Sequence, residues 1–329
     1  MPDSDDTANT ADTANTANTA DTASTANTAD TANTAPATAR RRLVLRRRPG
    51  RPSALAERWT TVDGVRVHYR ESPGAPGAPT MTHVHGFGLS GSYLVPTAEL
   101  LADDFHTLVP DLPGFGRSGR SPSPLGVEGL AHAAADFLDD RQVATTTMVG
   151  NSMGCAVICD FAHHYPERLD RAVLVAPAGG LHNQPLGKAL RQLMIDSVRE
   201  PPSLITVAVP DYLRFGVPST MRLFRALTQF PALDRLLEIN VPTLVVLGRS
   251  DPLMPGPARV KEVAGRTANS VLLVVIEGAA HAINFSHPGE LANVIRQFMT
   301  DQPIVDDPNS PGQARAYEIH RGENLPGTK

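Results

Sequence analysis

With 329 residues the chain is long enough for one sizeable domain. Its 41 % hydrophobic and 19 % charged residues exclude fibrous and membrane-embedded classes, and a net charge of -4 excludes a protein whose main partner is nucleic acid. No run approaches the ~18 apolar residues of a membrane span and the amino terminus lacks a signal peptide, so a cytoplasmic location without a membrane partner is expected.

From Thr7 to Ala35 the chain repeats Thr-Ala-Asx, with no large apolar side chain to offset its ordering entropy. The arginine run Arg40 to Arg48 follows. It reads as a solvated linker or an upstream extension, with contact to an anionic surface or nucleic acid as an alternative; a twin-arginine export signal would need an apolar stretch that does not follow. Residues 1–53 are therefore expected to be a disordered tail.

Beyond Leu55, short β-branched runs recur at Val65–Tyr69, Thr80–Val84, Thr107–Val109, Thr145–Val149, Ala172–Val175, Thr243–Leu247 and Val271–Ile276. Segments of helical period separate several of them, at Leu125–Asp140, Met153–His164 and Gly289–Met299. This alternation predicts an α/β fold with a mainly parallel central sheet flanked by helices, over residues 54–179 and 237–302. Residues 180–236 break the rhythm, with amphipathic stretches around Leu186–Val198 and Met221–Leu227, and are expected to form an inserted helical cap; a long crossover packed on the sheet is the alternative. Residues 303–329, polar and rich in Pro and Gly, are expected to be a disordered tail. Cys155 and Cys159 lie four apart in an apolar segment, which on a helix puts them on one face as buried thiols rather than a disulfide.

Gly150-Asn151-Ser152-Met153-Gly154 lies between the strand Thr145–Val149 and an apolar helix, the setting of a nucleophile elbow, and makes Ser152 a candidate nucleophile. Small residues are needed there because the serine backbone is strained, and the following helix aims its positive end at developing negative charge. His85-Gly86-Phe87-Gly88 ends an earlier strand, where the N–H of Phe87 could join that of Met153 in an oxyanion hole. Gly86 and Asn151 beside them are expected to meet substrate, whereas His83 is read as structural. A serine nucleophile needs a base, and His281, in a loop of small residues after Val271–Ile276, is the candidate; His287, before Pro288, instead opens the last helix. Asp251, after Thr243–Leu247, would orient His281 through its Nδ1.

Taken together, these motifs resemble those of the α/β-hydrolase-fold serine hydrolases, in the chain order Ser, Asp, His of that superfamily. Asp111-Leu112-Pro113-Gly114-Phe115-Gly116-Arg117-Ser118 is similar to the family's Asp-x-x-Gly-x-Gly-x-Ser loop, which shapes the site without reacting. The resemblance covers about Leu55 to Thr300. It implies hydrolysis of an ester or related acyl bond in a small, largely apolar substrate, with no cofactor and no metal. Ser152 departs from the dehalogenase and epoxide hydrolase branches, which place an aspartate there. The elbow is similar to that of meta-cleavage product hydrolases, but Cys155, Leu89 and Ala282 depart from that group's glycine, proline and tryptophan. Carbon-carbon hydrolysis, acyl transfer and a ligand-binding protein that keeps the triad remain alternatives, and the oligomeric state is left open.

Overall fold

The computed structural model describes residues 53–177, 199–253, 263 and 271–304, together with the backbone of 314–319. The strands are β1 (Ala56–Val62), β2 (Val65–Ser72), β3 (Thr80–Val84), β4 (His106–Pro110), β5 (Thr146–Asn151), β6 (Leu169–Val175), β7 (Thr243–Gly248), β8 (Val271–Ile276) and β9 (Ala314–Ile319). The helices are α1 (Val95–Leu101), α2 (Val127–Asp140), α3 (Met153–His164), α4 (Pro202–Phe215), α5 (Val217–Gln229), α6 (Ala232–Leu237), α7 (Ile283–Ser286) and α8 (Pro288–Met299). No helix among the described residues is long and apolar enough to cross a membrane.

All nine strands form one sheet in the order β1-β2-β4-β3-β5-β6-β7-β8-β9. From β4 to β8 neighbouring strands run parallel; β2 is antiparallel to β1 and β4, and β9 to β8. The strands expected from β-branched runs are all present. β1 carries no such run, because it is an edge strand with most of its side chains in solvent. Its hairpin to β2 turns through Asp63 and Gly64, both at positive φ (48° and 75°), as a two-residue turn that matches strand twist requires.

Residues alternate across the sheet. On β5, Met148 enters the core beneath α2 and α3, while Val149 enters the one beneath α1 and α8. Both faces are thus covered, as buried parallel strands require. Cys155 and Cys159 are free buried thiols on α3; burial raises both pKa values, that of Cys159 to about 12, so the reading of them as packing residues holds.

One segment differs from the sequence-based expectation. Within the carboxy-terminal stretch expected to be disordered, Ala314–Ile319 pairs along the whole of β8. This is a correction: the exposed edge of a buried strand offers unpaired N–H and C=O groups that recruit even a polar segment. Between β6 and β7, in the region expected to be a helical cap, α4 follows Pro201 and contains Pro202 and Pro210. Pro202 sits in the first turn, where no N–H is needed, and Pro210 is tolerated within the helix. The amphipathic stretch Leu186–Val198 lies outside the described residues, as do the Thr-Ala-Asx repeat and the arginine run.

Strand order also places the functional crevice. From β3 the chain moves outward to β4 and returns on the other side of β3 to begin β5, so loops at the carboxyl ends of β3 and β5 diverge. Such a reversal opens a cleft where α/β sheets bind ligands.

Candidate active site

Ser152 follows directly on β5 and precedes α3, with φ 57° and ψ -117°, far from the ordinary wells of a residue with a side chain. The turn is held from both sides: the Ser152 N–H donates to the Val175 carbonyl at 3.0 Å and the Cys155 N–H to the Ser152 carbonyl at 3.0 Å. Its tightness also depends on glycine, since a Cβ on Gly154 would strike the Val84 carbonyl and one on Gly150 would lie 2.7 Å from the Gly154 backbone. The strain lifts the Ser152 side chain clear of the sheet edge into a cavity of about 390 Å³.

His281 and Asp251 arrive on the loops after β8 and β7, which are laced together. Arg249 N–H donates to Ile276 O at 3.1 Å, Ser250 N–H to Ala279 O at 2.9 Å and Asp251 N–H to Gly248 O at 3.1 Å. The result sets Asp251 Oδ2 2.8 Å from His281 Nδ1, with both residues buried. The second carboxylate oxygen accepts the Leu253 N–H at 2.7 Å, which fixes the orientation of the acid. Ser152 and His281 line the same cavity, together with Gly86, Phe87 and Asn151.

On the opposite lip, the loop after β3 is braced by polar side chains. His85 Nε2 accepts the Leu112 N–H at 3.0 Å, so the ring proton belongs on Nδ1, 3.1 Å from the Gly86 carbonyl. Burial pushes the His85 pKa down, which keeps the ring neutral in that role. The Gly86 N–H donates to Tyr93 Oη at 2.7 Å, and Tyr93 Oη donates to Asn151 Oδ1 at 2.8 Å. Gly86 N–H is thus already engaged, whereas Phe87 N–H has no backbone acceptor among the described residues. Met153 is the first residue of α3, so its N–H points out of the helix end.

Asn151 lies at the cavity, but its amide is turned to structure. Nδ2 donates to the Val175 and His281 carbonyls, each at 3.1 Å. Asp111, expected to shape the site, accepts from Gly91 N–H, Arg117 N–H and His68 Nδ1 at 2.9, 3.0 and 2.9 Å. Burial pushes its pKa up, but those bonds and the Arg70 charge outweigh burial and hold it below the usual carboxylate range. His83 is fully buried on β3, away from the cavity lining.

Several cavity residues carried no signal in the sequence. Glu200, Leu204, Ile205, Ala208, Val209 and Tyr212 close the cavity from α4 and the segment before it. The i, i+4, i+8 spacing of Leu204, Ala208 and Tyr212 could have marked a helix face. Glu128, His132 and His164 form a group of possible metal ligands among the described residues, and none of them lines the cavity.

Comparison with known proteins agrees with this architecture. Residues 83–294 match the model of the alpha/beta hydrolase family, so the chain belongs to that family and is a hydrolase. The poly(3-hydroxyalkanoate) depolymerase of Ectopseudomonas oleovorans is 28 % identical over 273 residues, spanning 76 % of this chain and 95 % of the relative. Among solved structures, a thermophilic esterase from Thermogutta terrifontis superposes with a TM-score of 0.59 at 23 % identity, covering 75 % of this chain and 98 % of that one. An N-acyl homoserine lactone degrading enzyme gives 0.60 at 24 % identity, covering 73 % and 100 %. At these identities the structural likenesses speak to fold.

Proposed function

We propose that the protein cleaves an ester or related acyl bond in a small, largely apolar substrate through an acyl-enzyme on Ser152. The observation that carries this reading is one cavity wall shared by a serine in a strained elbow and a histidine whose far nitrogen lies 2.8 Å from a buried carboxylate. In this reading His281 takes the Ser152 proton as Oγ attacks the carbonyl carbon, and Asp251 stabilises the imidazolium that forms. The N–H groups of Phe87 and Met153 receive the oxyanion, each worth about 3 kcal/mol of barrier. His281 then protonates the leaving group, and water repeats the sequence on the acyl-enzyme.

Substrate class follows from the lining. Leu204, Ile205, Ala208, Val209, Leu89 and Ala282 offer apolar contact, and about 390 Å³ admits a small acyl group and its leaving group. In this reading α4 acts as the cap over the cavity. An ester bond is also the one that a depolymerase of polyhydroxyalkanoates, such as the relative above, would cleave.

The test is a substrate screen of the wild type beside Ser152→Ala. Short-chain p-nitrophenyl esters are expected to turn over with the wild type and to lose turnover with the variant. Absence of short-ester turnover, with cleavage of a vinylogous diketone instead, would overturn the acyl-bond reading in favour of carbon-carbon hydrolysis.

A further inference from the structure

The hydrolysis proposed above uses loops from the sheet, yet four hydrogen bonds that hold those loops come from the cap. Glu200, just before α4, is buried, and its Oε1 accepts the N–H of Ala282, the residue after His281, at 2.6 Å. Asp211, in the penultimate turn of α4, is also buried, and its Oδ2 accepts the N–H and the hydroxyl of Ser90 at 2.8 and 2.6 Å. Ser90 lies three residues after Phe87 and caps the short 3₁₀ turn Gly91–Tyr93, whose Tyr93 receives the Gly86 N–H. Next to Asp211, the Tyr212 hydroxyl donates to the Phe87 carbonyl at 3.3 Å, and its ring fills the space beside the Cα of Gly88, which has φ +70°.

The two carboxylates thus grip different halves of the site. They lie eleven positions apart, nine of them along α4, which spans about 14 Å over that stretch, enough to reach across the cavity. The stretch of α4 between them supplies cavity lining through Leu204, Ile205, Ala208 and Val209. Burying a carboxylate is costly unless it is hydrogen-bonded, so an apolar contact would be the cheaper way merely to dock a helix. A carboxylate accepting a backbone N–H instead fixes the direction of a peptide plane through a charge-assisted bond.

We propose that Glu200 and Asp211 are positioning residues: from the two ends of one cap segment they hold the His281 loop and the Phe87 loop in register, so that docking the cap and assembling the site are one event. Glu200 aims the peptide after the base. Asp211, with Tyr212, holds the loop immediately after the peptide whose N–H is assigned to the oxyanion, at the Phe87 carbonyl and at Ser90. This rests on the acyl-enzyme reading of Ser152 and His281.

The experiment compares Glu200→Ala, Glu200→Gln, Asp211→Ala and Asp211→Asn in the full chain. It reads the rate at which a fluorophosphonate labels Ser152, kcat and KM on p-nitrophenyl butyrate, and the thermal midpoint. The alanine variants are expected to lose about 10- to 100-fold in labelling rate and kcat with KM within about threefold, as misplacement of reacting groups produces. Gln and Asn keep an oxygen that can accept the same N–H and are expected to recover to within about threefold of wild type. Should an alanine variant fail to fold, Ser90→Ala and Tyr212→Phe remove single hydroxyls from the same ties and are expected to slow labelling about 3- to 10-fold. Labelling at the wild-type rate in folded variants, a loss confined to KM, or no recovery with Gln and Asn overturns the positioning role alone. A wild type that takes no label overturns the acyl-enzyme reading, and this inference with it.

Discussion

The side-chain amide of Asn151 donates to the main-chain carbonyl of His281 at 3.1 Å, tying the residue before the elbow serine to the residue proposed as its base. The same amide donates to Val175 and accepts from Tyr93, so one buried side chain joins β5, β6, the His281 loop and the Phe87 lip. Asn151→Ala removes the Asn151 bonds to the His281 carbonyl and the Tyr93 hydroxyl, while the Val175 carbonyl keeps the Ser152 N–H. A loss of about 2–3 kcal/mol is expected in urea unfolding, together with a fall in kcat of about 10- to 100-fold. Full activity in a folded Asn151→Ala would show that the tie does not position the base.

Single alanine replacements of Ser152 and His281 are expected to lower kcat on a short ester by about 10⁴-fold or more, and Asp251→Ala by somewhat less. The three act as one unit, so the double variant Ser152→Ala/His281→Ala is expected to be no slower than Ser152→Ala. Steady-state kinetics on the purified single and double variants checks this. Multiplying losses would mean that the residues work independently.

These two sets of variants probe residues that differ in how well the sequence exposed them. Ser152, His281 and Asp251 each follow a β-branched run and stand among small residues, so their placement at strand ends was legible. The sheet was legible for the same reason, because strands buried on both faces must be apolar almost throughout. Glu200 and Asp211 had no such signal. Their partners are backbone N–H groups 82 and 121 residues away, and a main-chain donor leaves no mark on residue type. β9 was hidden because an antiparallel edge strand held by main-chain bonds can be polar. The β1 hairpin was within reach, through the Asp63-Gly64 pair that favours its turn.

Acid sensitivity is expected from His83. Burial pushes its pKa from the ordinary 6.5 to about 3, and neither ring nitrogen has a hydrogen-bond partner among the described residues. Between pH 6.5 and 3 the unfolded chain therefore binds a proton at this ring that the folded chain refuses. Stability falls as pH is lowered through that window, by up to about 1.4 kcal/mol per pH unit. His85, also pushed down by burial, acts in the same direction, but its two hydrogen bonds make it a poor residue to replace. His83→Leu is expected to flatten the urea midpoint between pH 6.5 and 4 and to change stability at pH 7 by less than about 1.5 kcal/mol. An unchanged slope in the variant would assign the acid sensitivity to other groups.

The elbow itself stores strain that substitution can release. With φ 57° and ψ -117°, Ser152 occupies backbone space that costs a residue with a Cβ about 1–3 kcal/mol and glycine little. Ser152→Gly and Ser152→Ala both remove the hydroxyl, so any stability difference between them reports the backbone. Glycine also loses more conformational entropy on folding, by roughly 0.5–1 kcal/mol, which sets the two effects against each other. Since the strain exceeds the entropy over most of its range, Ser152→Gly is expected to be the more stable of the two by about 1 kcal/mol. Chemical denaturation of the pair at pH 7 measures the difference. If Ser152→Ala proves the more stable, the turn relaxes when the hydroxyl is absent, and the strained conformation belongs to the serine rather than to the fold around it.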